Sequence, residues 1–144
     1  MTVTTAAEAR WGSRLPRPEW AGYFNELTRR LEHGLELNVT LEVVGENVVG
    51  TEVERLPLCN VTYEPRHDNL AIGVGGRGER YPLVLWHYVE RPRLIWVHER
   101  EGVPTAIAIE SADAAEDDDV APDADGQSAG GTLTLMRTWS RDGT

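Results

Sequence analysis

Trp20, Phe24, Leu27 and Leu31 recur at intervals of four, three and four, the apolar stripe of one helical face. Pro16-Arg17-Pro18-Glu19 stands before them. Proline is tolerated in a first helical turn, and a carboxylate there complements the positive helix pole. Arg29 and Arg30 suit the opposite pole, and Gly34 is placed to end the helix. The spacing predicts a helix over 18–33.

From residue 36 onward the period changes to two. Leu37, Val39, Leu41 and Val43 alternate with Asn38, Thr40 and Glu42, the mark of a half-buried strand. The same alternation predicts strands over 49–56, 58–64, 69–74, 81–89, 93–99, 103–110 and 132–136. Pro57 is expected at a strand end or bulge. Pro65-Arg66-His67-Asp68, Glu90-Arg91-Pro92 and Arg100-Glu101-Gly102 read as short hairpin connections. The pattern therefore predicts a mainly β (α+β) fold. One N-terminal helix packs on an antiparallel meander of seven to eight strands, curved and barrel-like because wide flat sheets are rare.

Alternation fails over 112–131. Asp113, Glu116, Asp117, Asp118, Asp119, Asp123 and Asp125 lie there with no basic residue, seven of the ten net negative charges of the chain. Such a stretch repels itself and offers little to bury. Residues 114–129 are expected to be a disordered acidic insertion in the last hairpin. Residues 1–15 read as a flexible leader, 16–139 as a single domain and 140–144 as a tail.

The charge balance narrows the partners. Fourteen basic residues face twenty-four acidic ones, so neither nucleic acid nor an acidic membrane surface is an expected partner. All fourteen are arginine, which excludes lysine-based covalent catalysis. The single cysteine, Cys59, cannot form an internal disulfide or a cysteine-rich metal site. No apolar run reaches the length of a membrane span, and a cytoplasmic, soluble protein is the expectation.

The order of segments resembles a family of small bacterial proteins, domain of unknown function 5335. The likeness rests on Pro16-Arg17-Pro18-Glu19-Trp20, the helix end Arg29-Arg30, Val39-Thr40-Leu41-Glu42-Val43 and Leu56-Pro57-Leu58. It continues through Thr62-Tyr63-Glu64-Pro65 with Asp68-Asn69-Leu70, His87-Tyr88-Val89-Glu90-Arg91-Pro92 and Ile109-Glu110-Ser111-Ala112-Asp113. The resemblance implies a shared small, mainly β fold and no catalytic residues. This chain departs from the family pattern in its longer leader and in the insertion.

Few residues offer chemistry. Gly73-Val74-Gly75-Gly76-Arg77-Gly78 fits a dinucleotide fingerprint, but Pro82 and renewed alternation leave no room for the helix that motif needs. His33, His67, His87 and His98 lack a carboxylate or cysteine to complete a zinc set, so no metal and no cofactor is expected. The aspartates of the insertion lack the closing glutamate of a calcium loop. No serine sits in a nucleophile elbow.

Trp86, His87, Tyr88, Trp96 and His98 fall on the strands over 81–89 and 93–99, read as a hairpin. If Val89 opposes Leu94, His87 opposes Trp96 and shares a face with His98; if Val89 opposes Arg93, the two histidines part. Arg80 and Arg93 stand near the strand ends. These residues suggest an aromatic pocket for a small ligand. The leading expectation is instead a non-catalytic binding or accessory module. It would recruit a protein partner, basic if Asp117, Asp118 and Asp119 make the contact, through a sheet edge or the acidic loop. A hydrolase or transferase comes last, for want of a nucleophile, base or metal.

Overall fold

The computed structural model describes residues 12–45, 49–77, 81–111 and 132–140. The leader before Gly12, the insertion and the tail beyond Ser140 lie outside them. A 3-10 turn, Arg17–Glu19, capped by Pro16 and containing Pro18, leads into helix α1, Trp20–Glu32, whose own N-cap is Glu19. Its buried residues are Trp20, Phe24, Leu27 and Leu31, the stripe read from spacing. His33 N–H closes on the carbonyls of Arg29 and Arg30, and Leu35 N–H on Arg30. Gly34 follows at φ 111°, a conformation costly for other residues.

Eight strands follow one another as β1 (Ser13–Arg14), β2 (Leu37–Val44), β3 (Val49–Glu64), β4 (Asn69–Arg77), β5 (Tyr81–Glu90), β6 (Pro92–Arg100), β7 (Val103–Ser111) and β8 (Thr132–Ser140). They form one antiparallel sheet in the order β1-β6-β7-β8-β2-β3-β4-β5. Two meanders, β2 to β5 and β6 to β8, are joined where β8 pairs with β2. Among the described residues the fold is mostly β with one helix, as expected, and the sheet is not closed into a barrel.

Four features differ from the sequence reading, each for a physical reason. Strands 81–89 and 93–99 do not form a hairpin: β5 pairs with β4, and β6 with β7 and β1. Only Arg91 separates Glu90 from Pro92, one residue fewer than the tightest common hairpin. Arg91, at φ 49°, turns the chain round a corner instead. Pairing β5 with β6 would have closed the sheet, so this corner is what leaves it open.

Residues 49–56 and 58–64 are one sixteen-residue strand, not two. Pro57 is the last residue of β3 paired with β2, opposite Asn38, and Leu58 the first paired with β4, opposite Val74. A residue without an N–H thus sits where one ladder hands over to the next. Arg55, at φ 51°, marks a bulge just before it, its N–H donating to Thr40 Oγ1 at 3.2 Å.

Beyond Pro57, α1 replaces β2 beside β3. Thr28 Oγ1 donates to the carbonyl of Val61 at 2.7 Å and accepts from its N–H at 3.0 Å. At the opposite sheet edge, residues assigned to the leader pair with β6. Ser13 opposes Val97, Arg14 opposes Trp96, and Leu15 N–H reaches the Ile95 carbonyl at 2.7 Å. Finally, β4 runs on through Gly75 and Gly76 to Arg77, past residue 74, where the alternation ends the strand.

The core lies between α1 and the concave face of the sheet. It gathers the helical stripe with Val39, Leu41, Leu58, Val61, Leu70, Ile72, Val89, Ile95, Ile107, Ile109 and Met136. On the opposite face, Trp96, Ala108 and Leu135 make a smaller cluster with Leu94 and Leu133. The β7–β8 hairpin ends with Ser111 opposite Thr132, so the acidic segment joins two strand ends already side by side.

Candidate binding surface

With α1 packed on the concave side, the exposed apolar surface gathers along one edge of the sheet. Among the described residues six large hydrophobic side chains are exposed, and four belong to β5: Val84 at 40%, Leu85 at 55%, Trp86 at 48% and Tyr88 at 56%. β5 ends the strand order at one side. At the other side β1 covers part of the β6 edge, which leaves β5 as the long outer strand.

Alternation sorts the β5 side chains. Val89 enters the core, so Leu85 and the half-buried His87 share the concave face, opposite Val74 and Ile72. Trp86 and Tyr88 stand on the convex face, opposite Gly73 and Ala71. Their rings stack at 6.4 Å between centroids with 19° between planes. Gly73 permits this, since a Cβ there would lie 2.9 Å from Trp86 Cζ3 and 3.1 Å from Cys59 Sγ. Trp86 is thus laid across the strand beside it, with about half its surface in water. Along β3 the same convex face carries Asn60 and Thr62, joined by a 2.7 Å hydrogen bond. The next row across the sheet is Glu64, Asn69 and Glu90.

Not all of the residues singled out by sequence meet here. Trp86 and Tyr88 are together, and His87 is on the other face of the same strand. Trp96 lies on β6, buried in the smaller convex cluster. His98 is exposed on β6, with Nδ1 3.0 Å from Thr105 Oγ1. Neither proposed register holds, because Val89 opposes Leu70 and Leu94 opposes Glu110. Arg93 is exposed near the start of β6. Arg80, Asp117, Asp118 and Asp119 lie outside the described residues. Among the described residues no group of three or more His, Cys, Asp or Glu could hold a metal ion, and no helix is long and apolar enough to cross a membrane.

Two features escaped the sequence reading. A cleft of about 580 Å³ opens between Val103–Thr105 and Thr138–Trp139, lined also by Leu35, Leu37, Arg100 and Glu101. β7 and β8 stop pairing at Ala106 and Arg137, while β8 continues along β2 to Ser140. A hydrogen bond from Thr138 Oγ1 to the Pro104 carbonyl bridges the splay. The second feature is a network at the β5–β6 corner. Arg17 Nη1 donates to Tyr63 Oη and Asp68 Oδ1, both at 3.2 Å, and Nη2 to the Pro92 carbonyl at 2.9 Å. Tyr63 donates to Asp68 Oδ1 at 2.6 Å, and the Arg17 guanidinium lies 4.4 Å from the centre of the Trp20 ring. Desolvation first, and the Asp68 carboxylate second, hold the Tyr63 hydroxyl above the ordinary tyrosine range.

Arg17, Trp20, Tyr63, Asp68 and Pro92 come from three of the motifs that carried the family resemblance. The model of the family of unknown function DUF5335 matches residues 12–117. The chain belongs to that family. No curated protein and no solved structure matches it. The DUF5335 match spans β1 to β7 and ends before β8, yet β8 lies between β7 and β2 in the middle of the sheet. In this DUF5335 protein the sheet is therefore completed by residues beyond the matched region. The motif residues at the corner satisfy one another, which suits bracing more than chemistry. The solvent-facing rings of β5 take no part in that network.

Proposed function

We propose that this protein is a non-catalytic binding module that takes an extended segment of a protein partner along β5. The observation that carries the reading is the coincidence of an outer strand with four exposed apolar side chains, Val84, Leu85, Trp86 and Tyr88. An outer strand offers backbone donors and acceptors to an added strand, while side chains on either face select its sequence. Exposed apolar groups are ordinary when scattered; gathered on one edge they suit an interface. A cytoplasmic setting accords with the lone thiol of Cys59.

Selection of extended twelve-residue peptides from a display library tests this. Selected peptides should protect the amides of 84–90 from hydrogen exchange, and Leu85→Lys with Trp86→Lys should abolish their binding without unfolding the chain. Selected binders that leave β5 exchange unchanged would refute the reading. A second reading, small-ligand binding, is favoured by the cleft beside Trp139, whose volume falls in the range of ligand pockets. There, a compound that raises the melting temperature of the parent should fail to do so for Trp139→Ala; an equal shift in both would refute it.

A further inference from the structure

The convex side of β5 and the charge of the chain together indicate the chemistry of the partner. We propose that the segment added to β5 is basic. Arginine or lysine at alternate positions would lie over the Trp86 and Tyr88 rings and be held by Glu90. This rests on strand addition at β5 and goes beyond it by naming the occupant.

Charge complementarity carries the argument. Even without residues 114–129, which hold six acids and no base, the chain has a net charge of −4, so it repels a second copy of itself and attracts a cationic segment. The local surface agrees. A strand added to β5 places its convex-face side chains about 5 Å from those of Trp86 and Tyr88. The two rings are nearly parallel and about half exposed, so their negative π faces are open to a cation. The exposed carboxylate of Glu90 stands one row further along that face. The fold already uses such contacts internally, with Arg17 over Trp20 and Arg55 over Trp139, at 4.4 Å and 5.4 Å. Arg91 stands just beyond Glu90 at the β5–β6 corner, so the basic stretch of the partner ends with β5.

Three ten-residue peptides provide the test: alternating Arg and Thr, Gln and Thr, and Glu and Thr. Each is titrated into the full chain, with binding read by tryptophan fluorescence and location by amide exchange over 84–90. The Arg peptide should bind about tenfold more tightly than the Gln peptide at low salt and lose that advantage in 0.5 M salt. Trp86→Ala should cost about fivefold. The exposed change Glu90→Gln, which leaves the core untouched, should weaken the Arg peptide and not the Gln peptide. Deleting 114–129 should leave protection of β5 in place.

Equal protection of β5 by the Gln or Glu peptide would overturn the basic partner and leave strand addition standing. No protection by any of the three would overturn both. Arg-peptide binding that vanishes with 114–129 and ignores Trp86 and Glu90 would also overturn the inference. So would a neutral pyranose hexamer that quenches Trp86 while the Arg peptide is silent.

Discussion

Thr28→Val isolates what holds the helix to the sheet. Valine has nearly the shape of threonine, so packing on α1 changes little, but both bonds to Val61 disappear. Val61 is fully buried and lies past the last β3 residue paired with β2, where no strand can replace the hydroxyl. Two ordinary hydrogen bonds contribute about 1 kcal/mol each, and a buried N–H left without a partner costs about 1–3 kcal/mol. The added methyl returns about 0.8 kcal/mol by burial. The net expectation is a loss of about 2–4 kcal/mol, read from urea unfolding followed by tryptophan fluorescence with an unchanged denaturant slope. Thr28→Ser keeps the hydroxyl and should cost less than about 1 kcal/mol. A loss below about 0.5 kcal/mol for valine, within the range of ordinary surface changes, would refute the reasoning, as would equal losses for serine and valine.

Removing 132–140 should abolish cooperative unfolding, because β2 and β7 lose the strand between them; a sharp melt for a chain ending at residue 117 would contradict the topology. Deleting 114–129 and joining Asp113 to Gly130 should leave stability within about 1 kcal/mol of the parent, since Ser111 and Thr132 already face each other; a large drop in melting temperature would show that the segment is structural. Tyr23 and Tyr63 both have hydroxyl pKa values raised above 10.0, by desolvation first and then by Glu99 and Asp68, to which they donate. Raised values favour the neutral phenol of the folded state, so their stabilisation is complete below pH 10 and lost as pH climbs beyond it. The urea midpoint should therefore fall above pH 10, and less steeply in Tyr23→Phe with Tyr63→Phe; identical profiles would reject that account.

How far the sequence could be read depended on the range of the interaction. The α1 stripe was legible because its period is set within four residues, and Trp20, Phe24, Leu27 and Leu31 all reach the core. Strand positions were legible from alternation, as in Leu37, Val39 and Leu41. Pairing was not. Nothing local tells Glu90-Arg91-Pro92 to turn a corner rather than a hairpin, because the turn is held by Arg17 and Asp68 from elsewhere in the chain. Pro57 looked like a break because sequence cannot show that a strand is changing partners. Alternation put Trp86 and Tyr88 on one face; that the strand is outermost follows only from the β5–β6 corner. The Ala71, Gly73 and Gly75 spacing was the one local hint that a large ring lies across β4.

The central place of β8 has a consequence for synthesis. Leu37 waits for Ser140, and Val44 for Leu133, so β2 emerges from the ribosome with its partner about a hundred residues away and still unmade. Until residues 132–140 appear, β2 and β7 present open ladders, the condition in which nascent sheets stick to one another. Folding should finish only after the last strand is free, and slowly, because its decisive contacts are the most distant in sequence. The acidic run made just before β8 places seven negative charges on the chain while those edges are bare. Repulsion between nascent chains at that moment would keep them apart until the sheet closes over β8.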